Sequence, residues 1–357
     1  MVPVMPAICI RAAGFGCGIE AILELATNSG SMTPSRIFQI KPRLILAMGL
    51  GFAVLAAVLL RFDMRVVLAS LARAGLGGFV LIVLAGLAAE VVLAIGIVPL
   101  LPRPMPLFVV VAARQLRDSS ADVLPITQLG GVALAARTLV LAGMGVAEAS
   151  ASVISDLTAE TFAQGLYVLM GVLTSLSLLS TSTMLSPYVG AMLGGALFLS
   201  AGSIGFALFQ IGGSRWAAKV GERLFPVALI HARAFHELVG AIYRRRGRLT
   251  QSILLQLAGW IASGLWLWVV LKVMDLGTGL WTAIAIQALV EGLRSATVFI
   301  PASVGIQEAG YAALAPVFGL TPEIGLAVSL LRRARDIVVA VPVLLIWQLI
   351  EGRRAAR

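Results

Sequence analysis

The chain has 357 residues, of which 59% are hydrophobic and 12% are charged, and its mean hydropathy is +0.99. Soluble domains carry about twice that share of charged residues, so the composition excludes a soluble globular protein and indicates a polytopic membrane protein. The net charge of +10 comes from arginines in or between apolar segments. Orientation by positive loops and contact with anionic lipid heads explain this charge, and we expect no nucleic-acid partner.

Residues 1–40 come first and do not form a signal peptide, because Arg11, Glu20 and Glu24 interrupt the apolar residues before an h-region develops. We expect a poorly ordered cytoplasmic segment and leave the true start codon open. The two cysteines of the chain form no metal-ligand set with a histidine, so we predict no metal site.

Apolar runs then follow along the chain. A helix needs roughly 20 apolar residues to cross the hydrocarbon core of a bilayer, and the runs have about this length or more. Two further apolar regions, 105–142 and 280–317, each carry a proline near the middle. We predict an all-α polytopic integral membrane protein with six spanning helices and two re-entrant, proline-broken hairpins. The six spanning runs are 44–60, 76–101, 146–179, 188–211, 250–273 and 321–350.

Basic residues predict the orientation of these helices. The loop 212–248 and the tail 351–357 are rich in arginine, and positively charged loops stay in the cytoplasm. Both termini are therefore predicted to be cytoplasmic. Arg61, Arg65 and Arg73 then face the opposite side, where a short interfacial helix would hold them at the headgroups.

The sequence also contains an internal repeat, with repeat 1 over 41–180 and repeat 2 over 181–350. QLRDSSADVLP at 115–125 resembles GLRSATVFIP at 292–301. Three single crossings separate the copies, which predicts inverted repeats whose broken helices meet near mid-membrane, a transporter pattern. If the 34-residue run 146–179 hides two crossings, the repeats are parallel instead.

The proline-broken regions are unusual in lipid, where non-helical backbone is tolerated only if protein buries it or water fills a cavity. Pro301 blocks an intrahelical hydrogen bond, so we predict a half-helix to about Ile300, a turn at PASVG and a second half-helix from about Gln307. The N-terminus of that second half-helix would offer backbone donors to an anionic group. A proline-kinked pair of ordinary helices is the alternative. The predicted hairpin breakers are Pro125, Gly130, Gly131, Pro301, Gly305 and Gly310.

Charged residues lie at bilayer depth in both copies, where an arginine facing lipid costs at least about 2.5–3.5 kcal/mol. Arg332 and Asp336 share one helix face, and Glu291 and Arg294 share another. Two interpretations stand: paired charges lock the helices together, or a polar cleft uses its guanidinium groups to bind lipid phosphate. The predicted substrate-binding residues are Arg114, Arg117, Arg294, Gln307, Arg332, Arg333 and Arg335, the predicted proton-coupling or gating residues are Glu291, Glu308 and Asp336, and no catalytic residue is predicted.

The segment FIPASVGIQEAGYAAL, followed by GLTPEIGLAVSLLRRARDIVVAVPVLLIWQLIEGRR, resembles the lysylphosphatidylglycerol synthase transmembrane-region family, also called flippase-like membrane proteins. Within that family it is most similar to the branch found in hopanoid biosynthesis loci. The family's proline-glycine turn followed by a glutamate matches Pro301, Gly305 and Glu308. The resemblance is strong over 285–355 and one of pattern only over 40–280.

The resemblance implies a bacterial inner-membrane flippase for an anionic or polar-headed lipid, such as a hopanoid or its derivative, without a cofactor. Its implied partners are lipids, with hopanoid-biosynthesis membrane proteins and a homo-oligomer left open. In the aminoacyl-lipid synthases a separate cytoplasmic domain makes the lipid, and because the chain ends at Arg357 we expect no enzyme activity. A non-transporting scaffold and an intramembrane lipid-modifying enzyme are the alternatives.

Overall fold

The computed structural model describes residues 64–123, 128–178, 235, 237–296 and 305–355. The predicted spans 44–60 and 188–211, the prolines Pro125 and Pro301, and most of the loop 212–248 lie outside the described residues. Within the described part of the chain, all regular secondary structure is helical. The all-α membrane class is thus confirmed, whereas the count of six spans and the re-entrant hairpins stay predictions.

The described fold contains the eight α-helices named below, a further helical stretch over 237–244, and 3₁₀ turns at Val98–Leu100 and Ala315–Phe318. Among the described residues, three segments are long and apolar enough to cross a membrane: Ala74–Leu100, Val146–Leu178 and Arg246–Val273. The helices are α1 (Met64–Ile95), α2 (Leu107–Val123), α3 (Gln128–Leu141), α4 (Val146–Leu178), α5 (Arg246–Val273), α6 (Leu280–Ala296), α7 (Ile306–Leu314) and α8 (Pro322–Ala355).

The run 146–179 forms one helix, α4, which continues without a break for 33 residues. At 1.5 Å per residue it is about 50 Å long, enough for one crossing with residues to spare.

Helix α1 differs, since its backbone leaves helical geometry at Gly75, where φ is 59° and ψ is 178°. The helical stretch before Gly75 therefore coincides with the interfacial helix expected around Arg65 and Arg73.

The element order of α1–α4, the first half, is the same as that of α5–α8, the second half. Helices α2 and α6 each have 17 residues, and α4 and α8 have 33 and 34. The turn that leads into the long helix contains in each half a glycine with positive φ, Gly143 at 96° and Gly319 at 77°. Glycine adopts this backbone conformation at little cost. This order is what the internal repeat predicts.

The halves also pack in matching pairs. Helix α1 packs on α5, α2 packs on α8 as α6 packs on α4, and α3 packs on α4 as α7 packs on α8. Helix α1 also packs on α8, and their counterparts in the other half, α5 and α4, pack on each other as well. The first helix of each proline-broken region therefore lies against the long last helix of the other half.

Helices α1 and α5 run antiparallel. Gly78 of α1 lies against Val273 at the end of α5, whereas Gly96, just after α1, lies against Gln256, nearer the start of α5. A Cβ atom at Gly96 would lie 2.5 Å from the Gln256 side chain, so a larger residue would require that side chain to move. The Ser252 hydroxyl also donates a hydrogen bond of 2.8 Å to the Gly96 carbonyl.

Each half has an apolar core. Leu139, Val110 and Val153 belong to one cluster in the first half, and Trp266 and Leu326 belong to another in the second half. One side of α8 instead exposes a stripe of large apolar side chains, as expected for a surface in contact with lipid acyl chains. These exposed residues are Ile337, Val338, Val341, Leu345, Ile346, Leu349 and Ile350.

The predicted turn at Gly130 and Gly131 is wrong. Both glycines lie inside α3, which begins at Gln128. A Cβ atom at Gly131 would lie 2.5 Å from the backbone oxygen of Arg117, so this glycine allows α3 to approach α2 closely. In the second half, α7 begins at Ile306, within one residue of the predicted start, and Gly310 lies within it.

Candidate functional site: buried charge clusters

The sequence-predicted arginines are brought together in the interior with carboxylates as partners. Arginine side chains at depth are costly unless they are paired, because a desolvated charge loses its hydration energy. Most of these groups lie on α2, α4, α6 and α8, the helices that pack across the two halves. The basic members are Arg114, Arg117, Arg294, Arg332, Arg333 and Arg335, and the acidic members are Glu90, Asp118, Asp156, Glu160, Glu291, Glu308 and Asp336.

The first cluster joins two arginines of α2 to two carboxylates of α4. Arg114 Nη2 lies 2.6 Å from one oxygen of Glu160, and Arg117 Nη2 lies 2.6 Å from the other. Arg117 is also 3.7 Å from Asp156, and both arginines contact Asp118 on their own helix at 2.5 and 3.0 Å. The arginine side chains are 7% and 9% exposed. Each guanidinium group therefore has two or more carboxylate neighbours.

The second cluster joins α6 to α8. Arg332 Nη1 lies 2.6 Å from Glu291, whose side chain is 3% exposed, and Arg294 lies 3.3 Å from the same carboxylate. Gln287 donates to Glu291 at 3.0 Å, and its own amide oxygen accepts from the Tyr311 hydroxyl at 2.5 Å. The predicted pairing of Glu291 with Arg294 along one helix is confirmed, but the shorter contact is with the long helix α8.

The two clusters occupy equivalent positions, and the sign of the charge differs at one position on each helix. Alignment of the Leu-Arg motifs matches Arg117 with Arg294, and therefore matches Arg114 with Glu291. Asp156 and Arg332 are 176 residues apart, the separation that also relates Gly143 to Gly319. In the first half the hairpin helix is basic and the long helix is acidic at these positions. In the second half Glu291 and Arg332 carry the exchanged charges and form an ion pair, whereas Arg114 pairs with Glu160 and not with Asp156.

Glu90 of α1 connects the halves and was missed from the sequence. Its carboxylate accepts a hydrogen bond from Gln115 Nε2 of α2 and forms an ion pair with Arg335 of α8. Arg335 also lies 2.8 Å from Asp336 and packs 5.4 Å from the ring centre of Trp266. A lone glutamate within the apolar run 76–101 was the available sequence signal, because an acid at that depth needs a partner.

Arg333 and Glu308 form a separate ion pair. Two nitrogens of Arg333, Nε and Nη2, lie 2.8 Å from Glu308 Oε1. The other carboxylate oxygen accepts a hydrogen bond of 2.8 Å from the Gly305 backbone N–H. Glu308 therefore caps α7 itself, and this helix N-terminus, which we expected to receive an external anionic group, already holds a carboxylate.

The contacts of the predicted binding residues differ from those expected from the sequence. Arg332 and Asp336 share a face of α8 but take different partners, Glu291 and Arg335. Gln307 is 3% exposed, and its Nε2 has no hydrogen-bond partner among the described residues. Within the described part of the chain the arginines contact carboxylates, which agrees with the interpretation that paired charges lock the helices.

A small cavity adjoins the first cluster. Arg114, Arg117 and Asp156 contribute to its wall, and apolar side chains that include Val110, Leu139 and Val153 form the rest. Guanidinium forks suit phosphate as well as carboxylate, and here Asp118 and Glu160 occupy them. Among the described residues, no group of three or more His, Cys, Asp or Glu side chains is placed to hold a metal ion.

These features define an all-helical membrane protein with two similarly built halves and charge clusters buried between them. The sequence model described as "Lysylphosphatidylglycerol synthase TM region" matches residues 44–343. The chain belongs to this family, as the resemblance in its last third predicted, and the match extends through both halves. No curated protein and no solved structure gives a significant match.

Proposed function

We propose that the chain is a lipid flippase, in which the polar head of a lipid crosses between the two halves while its acyl or polycyclic tail stays in the bilayer. Membership of a family of membrane lipid proteins supports this class of function. The charge clusters between the halves supply the polar path, and the apolar stripe on α8 faces the surrounding lipid.

The halves insert in opposite directions in this proposal. Equivalent helices α1 and α5 run antiparallel, as an axis in the membrane plane requires, whereas an axis along the membrane normal would make them parallel. The unbroken α4 supports the single crossing on which an inverted arrangement depends. Inverted halves that rock around a shared central site are a common basis for alternating access.

The observation that carries the proposal is that each half has buried arginine–carboxylate pairs at equivalent positions, on helices that pack across the two halves. A buried ion pair stabilises a helix contact only weakly in net terms, because desolvation offsets most of the attraction. Ion pairs that are weak in net terms can be exchanged for contacts with a lipid head at modest net cost. The arrangement described above is then a closed state in which Arg114, Arg117 and Arg332 hold carboxylates of the protein in place of a lipid head.

The cargo and setting belong to the same proposal. Guanidinium groups favour an anionic or polar head, and a hopanoid or its derivative is the cargo suggested by the resemblance to the hopanoid-locus branch. The protein lies in the bacterial inner membrane with both termini in the cytoplasm, leaves its lipid covalently unchanged, and uses Glu291, Glu308 or Asp336 for coupling or gating. Hopanoid-biosynthesis membrane proteins and a second copy of the chain are possible partners.

The pairing of the arginines also favours a second candidate, a non-transporting accessory protein of lipid biosynthesis. In that case the clusters only hold the helices together. The two candidates differ in what happens when a cluster is neutralised without unfolding the protein. A transporter loses lipid movement, whereas a scaffold keeps its function as long as it remains folded.

The test is lipid movement in proteoliposomes that carry fluorescent acyl-labelled phosphatidylglycerol, phosphatidylcholine or a polar hopanoid derivative. Dithionite bleaches the outer leaflet only, so protein-free vesicles keep about half their fluorescence. We expect the purified protein to lower that plateau for at least one lipid, and Glu291→Gln combined with Arg332→Gln to restore it. Arg103→Gln, which changes an exposed arginine outside the clusters, is the control.

Equal plateaus with and without folded protein across all three lipids would end the flippase proposal. Lipid movement that survives neutralisation of the second cluster would remove the clusters from the path. Mass spectrometry of the recovered lipid separates transport from an intramembrane enzyme, because transport leaves the lipid mass unchanged.

A further inference from the structure

We infer that Asp156 holds a proton on its carboxyl oxygen Oδ2 in the closed state, and that this proton crosses the membrane together with the lipid head. The use of the proton rests on the proposed function, whereas the proton site itself rests on the contacts of the first cluster. The proton is thereby assigned to a residue other than Glu291, Glu308 and Asp336, which the sequence singled out.

The first cluster contains one carboxyl group more than it has guanidinium groups. Glu160 receives Arg114 and Arg117 at 2.6 Å, one on each oxygen. Asp118 lies 2.5 Å from Arg114 and 3.0 Å from Arg117. These two carboxylates balance the two positive charges. An ionised Asp156 would therefore leave one negative charge of the cluster uncompensated.

Asp156 has the weakest charged contact of the three carboxyl groups. Its Oδ2 lies 3.7 Å from Arg117 Nη1, beyond the usual length of a hydrogen bond. Its Oδ1 accepts a hydrogen bond of 2.7 Å from the neutral amide of Gln256. The side chain is 6% exposed, and an ionised carboxylate removed from water without a close partner is costly. Protonation of Oδ2 removes that cost and keeps the bond from Gln256.

Among the described residues, the other groups near Asp156 do not compensate its charge. Glu160 lies one turn further along α4, and like charges at this spacing repel each other. Arg114 also acts on Asp156, but Asp118 and Glu160 are its closer partners. Titratable groups on the neighbouring elements have partners elsewhere: Arg137 of α3 with Glu351, Glu291 of α6 with Arg332, and Tyr243 before α5 with Thr158.

Polar atoms without a partner lie close to the same carboxyl group. Gln256 is 0% exposed, and while its Nε2 bonds to Asp156, its Oε1 has no hydrogen-bond partner among the described residues. Ser152, one turn before Asp156 on α4, is also 0% exposed, and its hydroxyl has no partner within the same part of the chain. Asp156 lines the small cavity beside the cluster, where a water molecule can exchange the proton.

The second cluster has the opposite excess of charge. Its central carboxylate, Glu291, pairs with both Arg332 and Arg294, so one positive charge remains there. Arg332 lies 176 residues after Asp156, at the equivalent position. An anionic head is therefore attracted to the second half, and a proton on Asp156 removes the negative charge that would repel the head from the first half. Proton uptake and head binding each favour the other.

Infrared spectroscopy of the purified full-length protein in neutral detergent tests the proton site without any lipid movement. A protonated carboxylic acid has a C=O stretching band that a carboxylate lacks. We expect this band at neutral pH in wild type and the loss of one of its components in Asp156→Asn. The matched control is Glu351→Gln, which removes a carboxylate that is paired with Arg137 and should leave the band unchanged.

Thermal unfolding of the same samples distinguishes a neutral Asp156 from an ionised one. Asparagine has the shape of the protonated side chain and no charge, so Asp156→Asn should keep the wild-type unfolding temperature. Glu160→Gln should lower it, because both guanidinium groups lose a charged partner. An unchanged carboxylic-acid band in folded Asp156→Asn would overturn the inference, and so would failure of this variant to fold.

A pH gradient across proteoliposomes tests the use of the proton. If one proton crosses with each head of labelled phosphatidylglycerol, a gradient of about one pH unit should shift the ratio of label between the leaflets up to about tenfold, toward the alkaline side. Asp156→Asn should leave the label evenly distributed. An even distribution in wild type with normal lipid movement would overturn the coupling, whereas the predicted infrared band without any lipid movement would reject only the flippase.

Discussion

Exchanging the charges of Glu291 and Arg332 should damage the protein singly and restore it together. The two groups lie 2.6 Å apart, so their attraction is on the order of 6 kcal/mol at an effective dielectric constant of 20. Desolvation offsets most of that attraction, but breaking a buried pair leaves one charge uncompensated at a cost of about 3–5 kcal/mol. We therefore expect Glu291→Arg or Arg332→Glu alone to lose at least that much stability.

The combined variant should recover to within about 2 kcal/mol of wild type, since one pairing of opposite charges is replaced by another. The physical reason is already present in the first half, where two arginines three residues apart on the hairpin helix face carboxylates of the long helix. The exchange would give the second half the same pattern, with Arg294 and the new arginine facing the new glutamate. Equilibrium unfolding in mixed micelles of a neutral detergent and dodecyl sulfate measures the free energies.

The matched control exchanges Glu308 and Arg333, which have no charged counterpart in the first half. An arginine at 308 cannot accept the Gly305 N–H, so the combined Glu308→Arg and Arg333→Glu variant should remain destabilised. The reasoning fails if the Glu291–Arg332 exchange is as unstable as its worse single variant. It also fails if both exchanges recover equally, because the pattern of the first half would then be irrelevant.

Three further substitutions probe the contacts between elements. Glu90→Gln removes the partner that Arg335 has on α1, and we expect a loss of about 1.5–3 kcal/mol in the same unfolding measurement together with slower lipid movement. Gly131→Ala should cost about 1–3 kcal/mol because it forces α3 away from α2. The control Gly77→Ala, with no atom within 4 Å of the added Cβ, should be neutral or stabilising. Equal effects of the two substitutions would refute the close approach of α3 to α2. Trp266→Phe should cost about 1–2 kcal/mol by removing the indole N–H bond to Ile82 and weakening the cation–π contact with Arg335, and an unchanged stability would show that neither contact contributes.

The helices of this protein were largely predictable because apolar length and helix breakers are local signals. The run 250–273 corresponds to α5, and the run 146–179 corresponds to the single helix α4. The start of α7 was predicted because Pro301 precedes it by a few residues. The position of Gly131 was not, since a glycine that permits helix contact has the same sequence signature as one that forms a turn.

The membership of the charge clusters was also predictable, but their pairing was not. Arg332 has Asp336 on its own helix face, yet its closest carboxylate is Glu291, which lies on another helix. Arg114 finds Glu160, 46 residues away, for the same reason. Which face of each helix meets which neighbour depends on packing across the halves, and spacing along one helix carries no information about it. The polar cleft was predicted from the arginines alone, without their carboxylate partners on the other helices.

The opposite insertion of the two halves is the claim on which the proposed function depends most. Gly145 and Thr321 test it directly, because they are exposed, lie 176 residues apart and directly precede the equivalent helices α4 and α8. Single cysteines are introduced there as Gly145→Cys and Thr321→Cys after Cys9→Ala and Cys17→Ala remove the native thiols. A membrane-impermeant maleimide is then applied to intact cells and to permeabilised cells.

Opposite insertion predicts that one of the two cysteines reacts in intact cells and the other reacts only after permeabilisation. Reaction of both cysteines from the same side would place the halves parallel in the membrane and contradict the proposed route for the lipid head.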